Sequence, residues 1–109
     1  MDCLFCNIAS GKIGAELLHE DPHTVAFKDI QPQAPVHILV IPKKHYPNIL
    51  ETDSQEIKHI FDAIKKIAKE QNLDDGFRVV NNCGELGGQT INHLHFHILG
   101  KRQLKWPPG

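Results

Sequence analysis

Histidine alternates with apolar residues along Asn92-His93-Leu94-His95-Phe96-His97-Ile98-Leu99. Side chains of a β-strand point to opposite faces with period two. The pattern therefore predicts a strand with His93, His95 and His97 on one face and Leu94, Phe96 and Ile98 on the other. Neighbouring imidazoles would stand about 7 Å apart. A helix would fan the same residues around its axis. A half-buried strand more commonly fills such positions with residues like Thr, so aligned imidazoles mark a candidate site.

The rest of the chain reads as mixed α and β. Leu4 to Ala9 is a short apolar helix, and Ser10 to Gly14 a turn. Glu16–Glu20 and Thr24–Lys28 are strand-like and separated by Asp21-Pro22, which predicts a hairpin. Asp29 to Pro35 holds two prolines and reads as a loop. Val36–Ile41 is almost continuously apolar, as in a central strand covered on both faces. His37 lies inside it, and an imidazole in so apolar a strand needs a polar partner. Ile57, Ile60, Phe61, Ile64, Ile67 and Ala68 recur at three and four, placing one long helix within Asn48–Gln71. Asp53 and Glu56 suit its start, and Lys65, Lys66 and Lys69 its end. His59 falls off the apolar stripe and is expected to be solvated. Phe77–Asn82 reads as a further strand, and Cys83–Thr90 as a glycine-rich loop leading into the histidine segment.

With 109 residues the chain has the size of a single domain. Its net charge of −1 offers no basic surplus for a nucleic acid polymer. No apolar run approaches the roughly 20 residues of a membrane span, and Met1-Asp2-Cys3 does not resemble a signal peptide. Three cysteines, an odd number, do not suggest a disulfide framework. A cytoplasmic protein with no membrane partner is the expectation.

Two features can carry chemistry. Cys3-Leu4-Phe5-Cys6 could supply two thiolates to zinc but needs two further ligands; alternatively, a small helix buries two inert thiols. In Gly84-Glu85-Leu86-Gly87-Gly88-Gln89-Thr90, glycines allow main-chain N–H groups to approach an anion, with Gln89 and Thr90 as added donors. This loop lacks the established phosphate-loop and dinucleotide spacings. Joined to imidazoles that can act as nucleophile, base or acid near neutrality, it points to a phosphate substrate. Two mechanisms follow: attack by His95 on phosphorus, or a histidine-bound metal activating water. The second lacks a carboxylate in this segment other than Glu85, which favours the first.

His93-Leu94-His95-Phe96-His97-Ile98-Leu99 resembles the signature of the histidine triad (HIT) family. Asp29-Ile30, Pro32–Pro35, His37 and Leu39-Val40-Ile41-Pro42-Lys43-Lys44-His45 are similar to its first half, and Gly87-Gly88-Gln89-Thr90 to its phosphate loop. Trp106-Pro107-Pro108-Gly109 resembles the tail of the nucleotide-binding Hint branch. The resemblance implies an α+β fold with a five-stranded antiparallel sheet, one long helix and a short N-terminal helix, forming a homodimer. It implies a single domain over 1–109, with 101–109 as a docking tail. The implied activity is hydrolysis of purine nucleoside 5′-phosphoramidates and aminoacyl adenylates through a nucleotidyl-histidine. Alternatives are dinucleoside polyphosphate hydrolysis and a non-catalytic nucleotide-binding or interaction module.

By that resemblance His95 is the nucleophile, with His97, His37 and Thr90 as further catalytic groups. Asp29, Ile30, Phe5, Phe27, Asn81, Gly88, Gln89, His93 and Trp106 would contact a purine nucleotide. No cofactor is required for catalysis. Some bacterial relatives bind a structural zinc, and the matching positions here are Cys3, Cys6, His45 and His93. Thr90 stands where Ser is frequent, which retains the hydroxyl and adds a methyl.

Overall fold

One sheet with a helix on each face separates the two halves of the core in the computed structural model, which describes residues 3–109. Strands β1 (Leu17–Glu20), β2 (Thr24–Lys28), β3 (Val36–Pro42), β4 (Phe77–Val80) and β5 (Phe96–Gly100) lie in the order β1-β2-β3-β5-β4. All four pairings are antiparallel. Helices α1 (Leu4–Ala9) and α2 (Ser54–Glu70) cover opposite faces.

Strand β3 is apolar at almost every position because both of its faces are buried. Ile38 and Val40 join Ile60, Ile64, Ile67, Leu94, Phe96 and Ile98 beneath α2. Leu39 and Ile41 join Phe5, Val25 and Phe27 on the α1 side. β5 divides in the same way, with His97 opposite Leu39 and Ile98 opposite Ile38. His37 and His97 thus lie on the α1 face, away from the long helix.

The long helix expected within 48–71 runs over Ser54–Glu70 with Asp53 as its cap, and a separate turn precedes it. Ile49–Glu51 forms a single 3₁₀ turn capped by Asn48, and Thr52 and Asp53 adopt extended backbone before α2 begins. Asp53 causes the restart: its carboxylate accepts from the Gln55 N–H at 2.8 Å and satisfies an otherwise orphaned donor. At the other end Asn72 takes a left-handed φ of 57°, closing the helix as αL residues commonly do. Replacing Asp53 by Ala should cost about 1 kcal/mol, measured as a lower urea midpoint at unchanged slope.

Other expectations are corrected locally. The histidine strand starts only at Phe96, and β4 ends at Val80 rather than Asn82. The Leu94 N–H donates to Tyr46 O at 2.6 Å, and Asn81 Nδ2 to His95 O at 3.0 Å. Main-chain groups of this approach are met by a loop and a side chain, not by a sheet neighbour. The facial alternation survives: Leu94, Phe96 and Ile98 lie in the α2 core, while Phe5 contacts both His93 and His95.

His59 is not simply solvated. Its ring stacks on His23, with centroids 3.7 Å apart and planes 4° from parallel. Phe61 is half exposed despite its place on the apolar stripe, resting edge-on against Phe96. The tail is held through Arg78, whose Nη2 donates to Lys105 O at 2.8 Å, but Trp106 remains 82 % exposed. Its indole is thus not docked against the described residues. The N-terminal reading of Met1 and Asp2 lies outside the described residues. No described helix is long and apolar enough to cross a membrane.

Candidate functional site

The imidazoles divide into two hydrogen-bonded sets. In the first, the Gln33 N–H donates to His37 Nδ1 at 3.0 Å. That bond leaves the His37 proton on Nε2, which lies 2.9 Å from His97 Nδ1 and 3.4 Å from Asp29 Oδ2. His97 Nδ1 therefore accepts, and the proton of neutral His97 resides on Nε2. This nitrogen is buried without a hydrogen-bond partner among the described residues. A buried donor left unpaired is costly, and this one is suited to an anionic oxygen.

His95 has the opposite tautomer. Its Nδ1 donates to His93 O at 2.8 Å, so Nε2 keeps the lone pair. Phe5 and His97 flank the ring at 5.2 and 5.1 Å between centroids. A basic nitrogen and a proton donor thus stand side by side on adjacent imidazoles. Burial, with the neighbouring His95 and His37 rings, lowers the His97 pKa to about 4, against the pull of Asp29. Burial also lowers that of His37, which Asp29 partly offsets. Both rings are neutral near pH 7, as the hydrogen-bond chain requires.

The glycine-rich loop folds on itself. Gly88 N–H donates to Glu85 O and Gln89 N–H to Gly84 O, both at 3.0 Å, and Gly84 and Gly88 have φ of 72° and 81°. At Gly87 a Cβ would collide with the main-chain oxygen of Cys83, so the turn excludes any side chain there. Gln89 serves the loop itself: Nε2 donates to Pro47 O at 2.6 Å and Ile91 O at 2.9 Å, while Oε1 accepts from Gly84 N. Its expected role as a phosphate donor is thus taken over by loop bracing. Thr90 is exposed at the end of the loop.

The remaining expected contacts vary in placement. Ile30 is 95 % exposed on the loop beside Asp29, free to meet a planar ligand. Asp29 Oδ1 accepts from Gln31 N–H at 2.8 Å while Oδ2 faces His37. Phe5 and Phe27 are buried edge-to-face against one another. Phe5 therefore supports the imidazoles from within. Asn81 braces the His95 carbonyl, and exposed Trp106 makes no ring contact with the histidines among the described residues.

The second set is a cluster of metal-ligating groups. Ligand atoms of Cys3, Cys6, His45 and His93 all lie within 4.8 Å of one another. Cys3 Sγ is 3.4 Å and Cys6 Sγ 3.5 Å from His93 Nδ1. Cys6 Sγ is 3.3 Å from His45 Nδ1, and the two Nδ1 atoms are 3.2 Å apart. Tetrahedral zinc with its usual sulfur and nitrogen bond lengths places ligands about 3.3–3.8 Å apart, so the donor set fits. His93 Nε2 donates to Pro42 O at 3.0 Å, which turns the Nδ1 lone pair toward the cluster. Burial and the Cys3 thiol raise the Cys6 pKa, a preference that a bound cation reverses.

Sequence reasoning did not reveal the Asp29–His37–His97 chain, the Phe5–His95 contact or the Pro42 carbonyl. His37 embedded in an apolar strand was a signal for the first. Main-chain acceptors leave no trace in residue identity.

A five-stranded antiparallel sheet with imidazoles gathered on the face opposite the long helix defines a histidine triad domain. The chain belongs to the HIT domain family, whose model matches residues 10–104. It is similar to a HIT family hydrolase from Legionella pneumophila, at 46 % identity, TM-score 0.95 and 99 % and 100 % coverage of the two chains. It is also similar to a histidine triad protein from Clostridium difficile, at 50 % identity, TM-score 0.91 and 96 % and 95 % coverage. A histidine triad nucleotide-binding protein from Candida albicans shares 33 % identity, with TM-score 0.89 and 97 % and 83 % coverage.

Proposed function

We propose that the protein is a nucleotide-binding hydrolase that cleaves purine nucleoside 5′-phosphoramidates, and related aminoacyl adenylates, through a nucleotidyl-His95 intermediate. The observation that carries this reading is the pair of opposite tautomers on adjacent rings. His95 Nε2 attacks phosphorus as the P–N bond breaks, and the amine leaves with its electron pair. His97 Nε2–H donates to a non-bridging oxygen as charge develops there. The departing nitrogen takes up a proton through the Thr90 hydroxyl to leave as the amine, and the water of the next step returns a proton to that hydroxyl. Water then attacks the phosphorus, releasing the nucleoside monophosphate and the free imidazole. The similarity to a nucleotide-binding relative supports the ligand class.

Cys3, Cys6, His45 and His93 would hold zinc in a closed structural site, supplying charge neutralisation for two thiolates and no step of the reaction. We also place the protein in the cytoplasm, where three free thiols suit a reducing milieu. We read it as a homodimer: β4 leaves one sheet edge open, with Phe77 and Val79 each 41 % exposed.

Purified protein should release AMP from adenosine 5′-phosphoramidate without added metal, with little turnover of diadenosine tetraphosphate. Acid-labile nucleotide attached to the protein should be trapped on rapid quenching. Preferential cleavage of the tetraphosphate would move the function to dinucleoside polyphosphates. Binding without any AMP release would leave a nucleotide-binding module.

A further inference from the structure

We propose that His93 is a positioning residue that couples the Cys3–Cys6–His45–His93 cluster to the nucleophile, so that metal occupancy sets the working tautomer of His95. The catalytic consequence rests on the phosphoramidase reading; the structural coupling does not.

His93 is fully buried and serves two sites at once. Its Nδ1 faces the three other ligand atoms, and its main-chain oxygen accepts the His95 Nδ1 proton at 2.8 Å. The nitrogen left bare for attack is therefore chosen by a carbonyl that belongs to a candidate metal ligand. This carbonyl lies outside the sheet, because β5 begins at Phe96. Ladder hydrogen bonds do not hold it.

Its supports trace back to the same cluster. His93 Nε2 anchors the ring to Pro42 O, and the Leu94 N–H is anchored to Tyr46 O, directly after His45. A third support comes from α1. Cys3 caps this six-residue helix through its thiol, which accepts from Cys6 N–H at 3.4 Å. Phe5 stands between the two cysteines and sets its ring against both His93 and His95, at 5.9 and 5.2 Å. A helix this short is marginal unless its packing holds it.

Four ligands drawn onto one cation would therefore fix the His93 carbonyl, the Tyr46 anchor and Phe5 together. Without it, His93 Nδ1 is held by one imidazole neighbour and two weak thiol groups. Groups behind metal ligands orient the ligands; here the influence runs outward, from ligand to nucleophile.

The test uses nitrogen-labelled full-length protein without substrate, carrying one equivalent of Zn²⁺ or treated with EDTA. NMR of the imidazole nitrogens reads the His95 tautomer, and circular dichroism reads the fold. The loaded protein should show His95 with its proton on Nδ1 alone. The folded, chelated protein should show averaging between the two tautomers. Its phosphoramidate kcat should fall about ten- to a hundredfold, with KM changed less than about threefold. Added Zn²⁺ should restore both.

An unchanged His95 signal and kcat in chelated, folded protein would overturn the coupling, as would failure to take up Zn²⁺. If chelation unfolds the chain, Co²⁺-substituted protein supplies the readout. Titration with AMP should shift the visible cobalt bands, and a spectrum indifferent to AMP would overturn the proposal. Absence of phosphoramidate turnover in the loaded protein would defeat the functional reading and leave the NMR result standing.

Discussion

His95→Asn should lose phosphoramidase turnover by about 10⁴-fold or more, while AMP affinity, measured calorimetrically, stays within about tenfold. The large effect follows from the absence of a substitute nucleophile. His97 is the nearest imidazole, but its Nδ1 is engaged by His37 and its Nε2 carries the proton. Exchanging those roles would require inverting the chain back to Gln33, whose main-chain N–H fixes its polarity. Asn is the informative replacement because its amide can still donate to the His93 carbonyl. Turnover above about a tenth of wild type would remove His95 from the role of nucleophile.

Acid should destabilise the fold between about pH 6.5 and pH 4. His97 ordinarily titrates at 6.5 and here at about 4. Within that window the unfolded chain binds a proton that the folded chain refuses. Stability is therefore complete above the unfolded value and declines as pH falls toward the folded one. A displacement of this size corresponds to at most about 3 kcal/mol, reduced by solvent at the partly exposed ring. His37, lowered by burial, adds in the same direction. Urea unfolding across this range should show the decline, and His97→Gln should flatten it. An equally steep decline in that variant would assign the effect elsewhere.

Much of the fold was legible because burial dictates composition. β3 is apolar on both faces, so its near-continuous run of Val, Ile and Leu marked a central strand. The α2 stripe was legible for the same reason, and Asp53 marked its start. The beginning of β5 was not. Side-chain alternation continues through His93 and His95, although their main chain has left the ladder. Periodicity reports which face a side chain occupies, not which group its amide meets.

The site shows the same division. Histidines at alternate positions marked the candidate face, and the family resemblance brought His45 and His93 to the cysteine pair. Nothing in residue spacing shows that the Gln89 amide is spent bracing its own loop, or that His59 finds His23. The 101–109 tail was expected to dock, yet the described residues provide no cover for Trp106. These outcomes depend on contacts distant in sequence, which local pattern cannot encode.

The acceptor that orients His95 is a main-chain oxygen. Every amino acid carries one, so no codon change at position 93 deletes it. Genetic damage to the orientation of His95 should instead arrive by displacement, from the His93 ring, Asn81, Phe5, Pro42 or the turn at Tyr46. Lesions that disturb His95 should therefore include positions outside the set of imidazoles. A variant interpreter who scores only the imidazoles would pass them as benign.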